Sequence, residues 1–250
     1  MSRAYLTFSL YGPMAAWGEV AVGQERPATP QPSRSALLGL LAAALGLQRE
    51  DPAQTALAED YGTAVCVEAG GSSLRDYHTA QVPGSVALKR HPAHTRREEV
   101  LAGGGDLNTI LSSREYSCDS FCRVAIWPRD GARWPLEELR DALERPVFPL
   151  YLGRKSCPLG LPLQASVQRA GDLASAFAQM PAIDARLAEL GKLFEPVRQY
   201  FWDADGEPGD LPPAMVLRRR DQPLNRLRWH FEERDVHFAR QARGTSATEG

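Results

Sequence analysis

Apolar and polar residues alternate from Tyr5 to Tyr11, with Leu6, Phe8 and Leu10 on one side and Tyr5, Thr7, Ser9 and Tyr11 on the other. A period of two predicts a strand, here with one buried face and one polar, aromatic face. The period then changes. After Ser33, a good helix N-cap, Leu37, Leu38, Leu41 and Leu45 recur at helical spacing up to Gly46, a residue suited to stopping a helix. Gly39, Ala42, Ala43 and Ala44 keep that helix slim enough for close packing. Tyr61 to Glu68 and Phe121 to Trp127 read as further strands, and Pro135 to Arg145 as an amphipathic helix with Leu136, Leu139 and Leu143 on one stripe.

Between the second and third strands lies Leu74 to Tyr116, with loop signals at Pro83-Gly84 and Gly103 to Gly105 and with the cations Arg75, Lys89 and Arg114. A segment of that length between two strands predicts a protruding arm. Strand, helix, strand, arm, strand, helix is the order of an α+β layer of ferredoxin-like type. Further on, Asp172 to Phe194 reads as helix broken at Pro181, Asp203 to Pro213 as an acidic loop, and Asn225 to Phe231 as a strand with Arg226, Arg228 and His230 on one face. Arg240 to Gly250 is small and polar, the composition of a disordered tail.

Length and charge narrow the function. A chain of 250 residues with 43% hydrophobic content can bury a full core, and a net charge of -2 makes any nucleic-acid surface local. The N-terminus carries no secretory pattern, and Ala36 to Leu47, the longest apolar stretch, is too short to span a bilayer, so a cytoplasmic address with no membrane partner is expected. Cys66, Cys118, Cys122 and Cys157 are scattered, which favours reduced thiols, and Cys118 with Cys122 has no second pair at zinc spacing. No metal or cofactor is expected. Phosphate-loop, nucleophile-elbow, zinc-protease and dinucleotide signatures are all absent.

Three features carry candidate chemistry. The first is a turn at Gly12-Pro13 with Trp17, followed by Arg26, Arg34 and Ser35 at the helix start, where main-chain N–H groups and arginines attract phosphate. Second comes Leu74 to Thr79, in which Arg75, Tyr77 and His78 combine a cation, a stacking ring and a proton carrier. The third is Tyr151 to Pro158, where Gly153 lets a ligand approach the backbone and Arg154 and Lys155 can meet phosphates. Each alone is equally readable as a structural turn or an exposed strand end bearing surface cations.

Together they carry a resemblance. Gly12-Pro13-Met14 with Ala16-Trp17-Gly18, Ser33-Arg34-Ser35 running into Leu37 to Leu41, Leu45-Gly46 with Gln48-Arg49, Leu74 to Thr79, Arg114-Glu115-Tyr116 with Cys118-Asp119, Tyr151 to Leu159, and Arg220 to Pro223 occur in one order along the chain. In this the sequence resembles the CasD family of subunits of the type I-E CRISPR surveillance complex, Cascade, within the repeat-associated RNA-binding (RAMP) superfamily. Ala15 departs from the family, which often has a polar residue there, and the arm is longer than the family pattern leads one to expect.

The resemblance implies an RRM-like, ferredoxin-type domain over residues 1–160, with a β-hairpin thumb inserted at about 74–116. A helical and β-rich C-terminal extension over 161–240 and a disordered tail over 241–250 complete this expectation. It further implies a non-catalytic subunit that caps the 5′ handle of the crRNA, touches the backbone subunit CasC and the large subunit CasA, and meets target DNA only within the complex. Single-stranded RNA is gripped by stacking and by cations along its phosphates. The residues expected to bind it are Gly12, Pro13, Trp17, Arg26, Arg34, Ser35, Arg75, Tyr77, His78, Lys89, Arg114, Tyr116, Tyr151, Gly153, Arg154 and Lys155. A rival reading is a metal-independent endoribonuclease processing the repeat, with Tyr77, His78 and Lys89 as base, acid and cation. A third is a protein scaffold whose cations serve partner subunits.

Overall fold

The computed structural model describes residues 2–90, 93–105, 107–181, 197–212, 214–225, 228 and 230–242. In chain order its elements are β1 (Arg3–Ala15), β2 (Trp17–Gly18), β3 (Glu25–Arg26), β4 (Ala28–Thr29), α1 (Arg34–Leu45), α2 (Ala53–Asp60), β5 (Tyr61–Ala69) and β6 (Ser72–Pro83). There follow α3 (Ser85–Arg90), α4 (Arg96–Gly103), β7 (Leu107–Pro128), α5 (Leu136–Glu144), β8 (Ser166–Ala170), α6 (Leu173–Ala178), β9 (Val197–Asp203), β10 (Met215–Asn225) and β11 (His230–Ala242).

Local signals set the helices. Ser33 Oγ accepts from Ala36 N at 3.2 Å, and Gly46, at φ 77°, lets its own N–H and that of Leu47 reach the carbonyls of Ala43 and Ala42. In α5, Leu136, Leu139 and Leu143 are buried, each such side chain contributing about 1.5–3 kcal/mol.

The sheet runs β10-β11-β9-β5-β7-β1-β8, with β3 and β6 also pairing with β7. Strand β7 has two partners in succession. Its Phe121–Ile126 stretch lies between β1 and β5, whereas Leu107–Cys118 runs outward paired with β6. The arm is therefore a prolongation of a central strand, with α3 and α4 joining its two strands at the far end; the Arg96-Arg97-Glu98-Glu99 run forms the start of α4.

Both faces of the sheet are covered. Leu6, Phe8 and Leu10 pack with α1, α2 and α5, while Tyr5, Trp127 and Trp202 pack with Leu173, Ala176 and Phe177 of α6. The second face of β1 is thus not a solvent face: Tyr5 and Thr7 are buried, and the Tyr5 ring meets Trp127 edge-on at 6.1 Å. Gly12 and Pro13 form no turn either. They lie within β1, where Gly12 pairs with Ser120 and Met14 with Cys118.

The C-terminal strands extend this same sheet. Of the strand expected at Asn225 to Phe231, Asn225 ends β10 and His230 and Phe231 open β11, with Asn225 Oδ1 accepting from Arg228 N at 2.9 Å between them, a side-chain substitute for a backbone turn. Arg226, Leu227 and Trp229 lie outside the described residues, as do 182–194 of the expected helix. Strand pairing with β9 carries β11 through Arg240 to Ala242, and the rest of the expected tail lies outside the described residues. Asp203 closes β9 instead of opening a loop. Among the described residues no helix is long and apolar enough to cross a membrane.

Candidate nucleic-acid interface

The loop after α5 folds back on the end of β1. Ala16 N donates to Leu152 O at 2.9 Å, Gly160 N to Tyr11 O at 2.8 Å, and Leu152 N closes the loop on Cys157 O at 2.8 Å. Two glycines make this possible. At Gly153, with φ 86°, an added Cβ would sit 1.9 Å from Ala16 O; at Gly12 it would sit 2.5 Å from Leu152 Cδ1 and 2.9 Å from Pro158 O. Both positions are therefore approached by the protein's own chain, which corrects the expectation that Gly153 leaves room for a ligand. Pro13 stays exposed beside them.

Docking of this loop leaves a groove of about 400 Å³ over the outer side of α1, lined by Trp17, Ser35, Gly39, Gln48, Tyr151 and Phe231 among others. Trp17 is buried and shapes the floor, whereas Tyr151 is 38% exposed at the rim. Gln48, Gly39 and Phe231 were not among the expected binding residues. Gln48 belongs to the motif set by which the sequence resembles its family, so a signal for it existed; Phe231 arrives from the β10–β11 hairpin, which no local pattern announces.

The arm carries the exposed candidates. Because β6 and β7 pair Arg75 with Glu115, Asp76 with Arg114 and Tyr77 with Ser113, Arg75 and Tyr77 share one face while His78 and Arg114 share the other. Tyr77 is 66% exposed. Arg75 Nη2 donates to Glu115 Oε1 at 2.7 Å, a hydrogen bond that lowers the Glu115 carboxyl and raises the Arg75 guanidinium. Arg26 runs beside Arg114 in the β3–β7 pairing, with Nη1 on the carbonyls of Gly23 and Glu25 at 2.7 and 2.9 Å. Lys89 is exposed on α3 at the arm's end. Tyr116 is buried at the arm's root, under the Arg154 guanidinium at 4.7 Å, and Lys155 is exposed next to it in sequence. Tyr77 and His78 thus point to opposite faces and Lys89 lies past the strand's end, so the three do not form one cleavage constellation.

Arg34 is placed elsewhere, and this corrects its expected role as a phosphate ligand. The residue is 2% exposed. Nε donates to Gln222 Oε1 at 2.8 Å, Nη1 to Thr63 Oγ1 and Asp203 Oδ2, and Nη2 to the carbonyls of Ala58 and Tyr61 at 2.7 and 2.6 Å. Five donors on five acceptors leave none for a ligand. Burial pulls this guanidinium down to about 10, against the opposing pull of Asp203. Around it, Arg234 bridges Asp203 at 2.6 Å and Asp221 at 2.7 Å, and the Arg34 main-chain N–H donates to Asp221 Oδ2 at 2.8 Å. Burial raises the Asp221 carboxyl, but Arg234, the Arg34 main-chain N–H and Arg219 together outweigh it and the net direction is down.

Cysteine and metal chemistry do not add to the site. All four cysteines are free, and burial pushes the Cys66 and Cys122 thiols well up, which keeps them protonated and inert. Among the described residues no group of three or more His, Cys, Asp or Glu is placed to hold a metal ion.

Known proteins share this architecture. A family model described as CRISPR-associated protein (Cas_Cas5) matches residues 5–237. The Cascade subunit CasD of Escherichia coli (strain K12) is 34% identical over 242 residues, covering 93% of this chain and 94% of CasD. Among solved structures, a chain of a CRISPR RNA-guided surveillance complex aligns with a TM-score of 0.63 and 22% identity over 95% of this chain and 90% of its own. A crystal structure of a Cas protein aligns at 0.57 and 22% identity over 95% of each chain. Matched by its family model over residues 5–237, and aligned with CasD over nearly all of its length, the chain belongs to the CRISPR-associated (Cas_Cas5) family.

Proposed function

We propose that this CRISPR-associated chain is a non-catalytic RNA-binding subunit of a Cascade-type complex, capping the 5′ handle of the crRNA beside CasC and CasA in the cytoplasm. The observation that carries the reading is the β6–β7 arm, which presents Arg75, Tyr77, His78 and Arg114 outside the core in a relative of CasD. Rings and separated cations on an exposed ribbon suit single-stranded RNA, whose phosphates and base faces are both accessible. Arg26, Lys89, Arg154 and Lys155 add cations near it, and the groove of about 400 Å³ floored by Trp17 and rimmed by Tyr151 offers room beside them. Guide pairing then supplies target specificity, so this subunit needs no field of its own for DNA. The central order β5-β7-β1-β8, antiparallel throughout and with α1 and α5 following β1 and β7, supports the ferredoxin-like reading, and the arm takes the place of its thumb.

Labelled repeat-containing RNA, incubated with the purified chain in EDTA and run on native and denaturing gels, tests the proposal. A native shift that depends on the handle sequence, with intact RNA on the denaturing gel, is the expected result. Cleavage at the repeat makes the chain a processing enzyme. Neither shift nor cleavage, in the chain alone and with partner subunits added, overturns RNA binding.

A further inference from the structure

Arg154 differs from Arg34, Arg75 and Arg26 in having a buried N–H without a partner among the described residues. Arg34 spends all five donors on protein acceptors, Arg75 is paired with Glu115, and Arg26 is held by main-chain carbonyls. By contrast Arg154 Nη1 is buried with no hydrogen-bond partner among the described residues, and its guanidinium is stacked on the Tyr116 ring. A desolvated guanidinium N–H without an acceptor is costly, and the group that satisfies it best is an anionic oxygen in its plane, as a phosphodiester supplies. The residue is also anchored at its main chain. Gly153 before it is fitted against Ala16 O, and Arg154 O accepts from Cys157 N at 2.9 Å.

Tyr116 gives this arrangement a consequence beyond binding. It lies opposite Leu74 in the β6–β7 register, one residue before β7 begins pairing with β1 at Ser117, so it sits at the junction of arm and core. Resting on the RNA reading above, we infer that Arg154 takes one backbone phosphate of the bound RNA and, through Tyr116, couples that occupancy to the setting of the arm. A phosphate that holds the guanidinium flat on the ring stabilises the root of β6 and β7. By linkage, a properly set arm strengthens phosphate binding by the same factor. A cation–π contact of this kind corresponds to about 2- to 30-fold in that factor.

Backbone hydrogen exchange over Leu74 to Thr79 and Ile110 to Glu115, measured on the full chain with and without saturating repeat-containing RNA, reads the coupling directly. RNA should slow arm exchange by about 2- to 30-fold in the wild type and in Tyr116→Phe, which keeps the ring. Arg154→Gln should lose that ratio at RNA saturation. Lys155→Gln, on the same loop but away from the ring, should weaken affinity yet keep the ratio once saturated. A purely structural Arg154 would alter exchange equally with and without RNA, and an unchanged ratio in Arg154→Gln overturns the inference. If the wild type binds no RNA, the RNA reading falls by itself. Inorganic phosphate then replaces RNA in the same measurement: slower arm exchange in the wild type alone supports the coupling, and equal exchange in both proteins refutes it.

Discussion

Replacing Arg34 by methionine removes one cation and keeps most of the stem's volume, which makes it the sharpest test of the buried network. Asp203 keeps Arg234 Nη1 at 2.6 Å and Arg129 Nη2 at 3.5 Å, so its charge stays paired. The carbonyls of Ala58 and Tyr61 and the Thr63 hydroxyl lose a donor in a place water does not reach. Hydrogen bonds to a charged group contribute about 1.5–3 kcal/mol each, but five within one network do not add. Each buried acceptor left without its donor costs about 1–3 kcal/mol, and three coupled ones together cost about 3–5 kcal/mol. With a urea dependence of about 2–3 kcal/mol per molar, the midpoint should fall by about 1–2.5 M. Fluorescence of the buried Trp127 and Trp202 reports the transition. RNA binding, measured where the variant is folded, should keep its salt slope, because no phosphate contact has gone. A midpoint within about 0.3 M of wild type, together with a slope reduced by about 0.7, would place Arg34 on a phosphate and refute the reasoning.

Gly153→Ala should cost about 1–3 kcal/mol in thermal unfolding, from a positive φ and a Cβ driven into Ala16 O, whereas Gly18→Ala, with nothing within 4 Å, should be neutral. Equal melting of the two variants would mean the loop shifts freely. Tyr77→Ala should leave stability unchanged and weaken RNA binding by about 5- to 150-fold, the value of one lost base stack; unchanged affinity in a gel titration removes Tyr77 from the interface. Acid unfolding should involve Asp205: burial raises its carboxyl, but the two bonds from Arg129 and one from Trp127 win and hold it at about 2, below 3.8. A carboxylate lowered on folding contributes stability above about 3.8 that is lost as pH falls toward about 2, so Asp205→Asn should flatten the loss in that window. Identical pH profiles would assign the acid limb to other groups.

What could be read from the sequence was what neighbouring residues decide. Ser33 and Gly46 cap α1 as their types suggest, and the stripe of Leu136, Leu139 and Leu143 is the buried side of α5. The length and basic content of the segment before Tyr116 announced an arm. Its helices α3 and α4 did not stand out, because neither has an apolar side to bury: no residue of α4 is buried. The polar side of β1 was misjudged for a different reason. Tyr5 and Thr7 are compatible with a wet face until α6, more than 160 residues later, is laid across it. Gly12-Pro13 has turn chemistry, yet a proline is harmless in a strand where its missing N–H has no ladder partner to supply, and β8 pairs with β1 only as far as Thr7.

The arginines show where sequence reasoning about a site must stop. Arg34 and Arg154 each follow a small residue at a backbone turn, and both were expected to hold phosphate. Locally the case was better for Arg34, at the first turn of a helix whose dipole and free N–H groups favour an anion. The anion there is the protein's own: Asp203, 169 residues along the chain, and Asp221 fill the position a phosphate would take. Among the described residues no carboxylate pairs with Arg154, and its buried Nη1 is left without a partner. The difference lies in β9 and β10, which bring Asp203 and Asp221 to the start of α1. Asp203→Asn with Asp221→Asn should therefore convert Arg34 from a structural cation into one that is short of an acceptor, in the condition Arg154 already occupies. Its expected signature is a large loss of stability that added inorganic phosphate partly restores, and a melting temperature indifferent to phosphate would show that the carboxylates do more than stand in an anion's place.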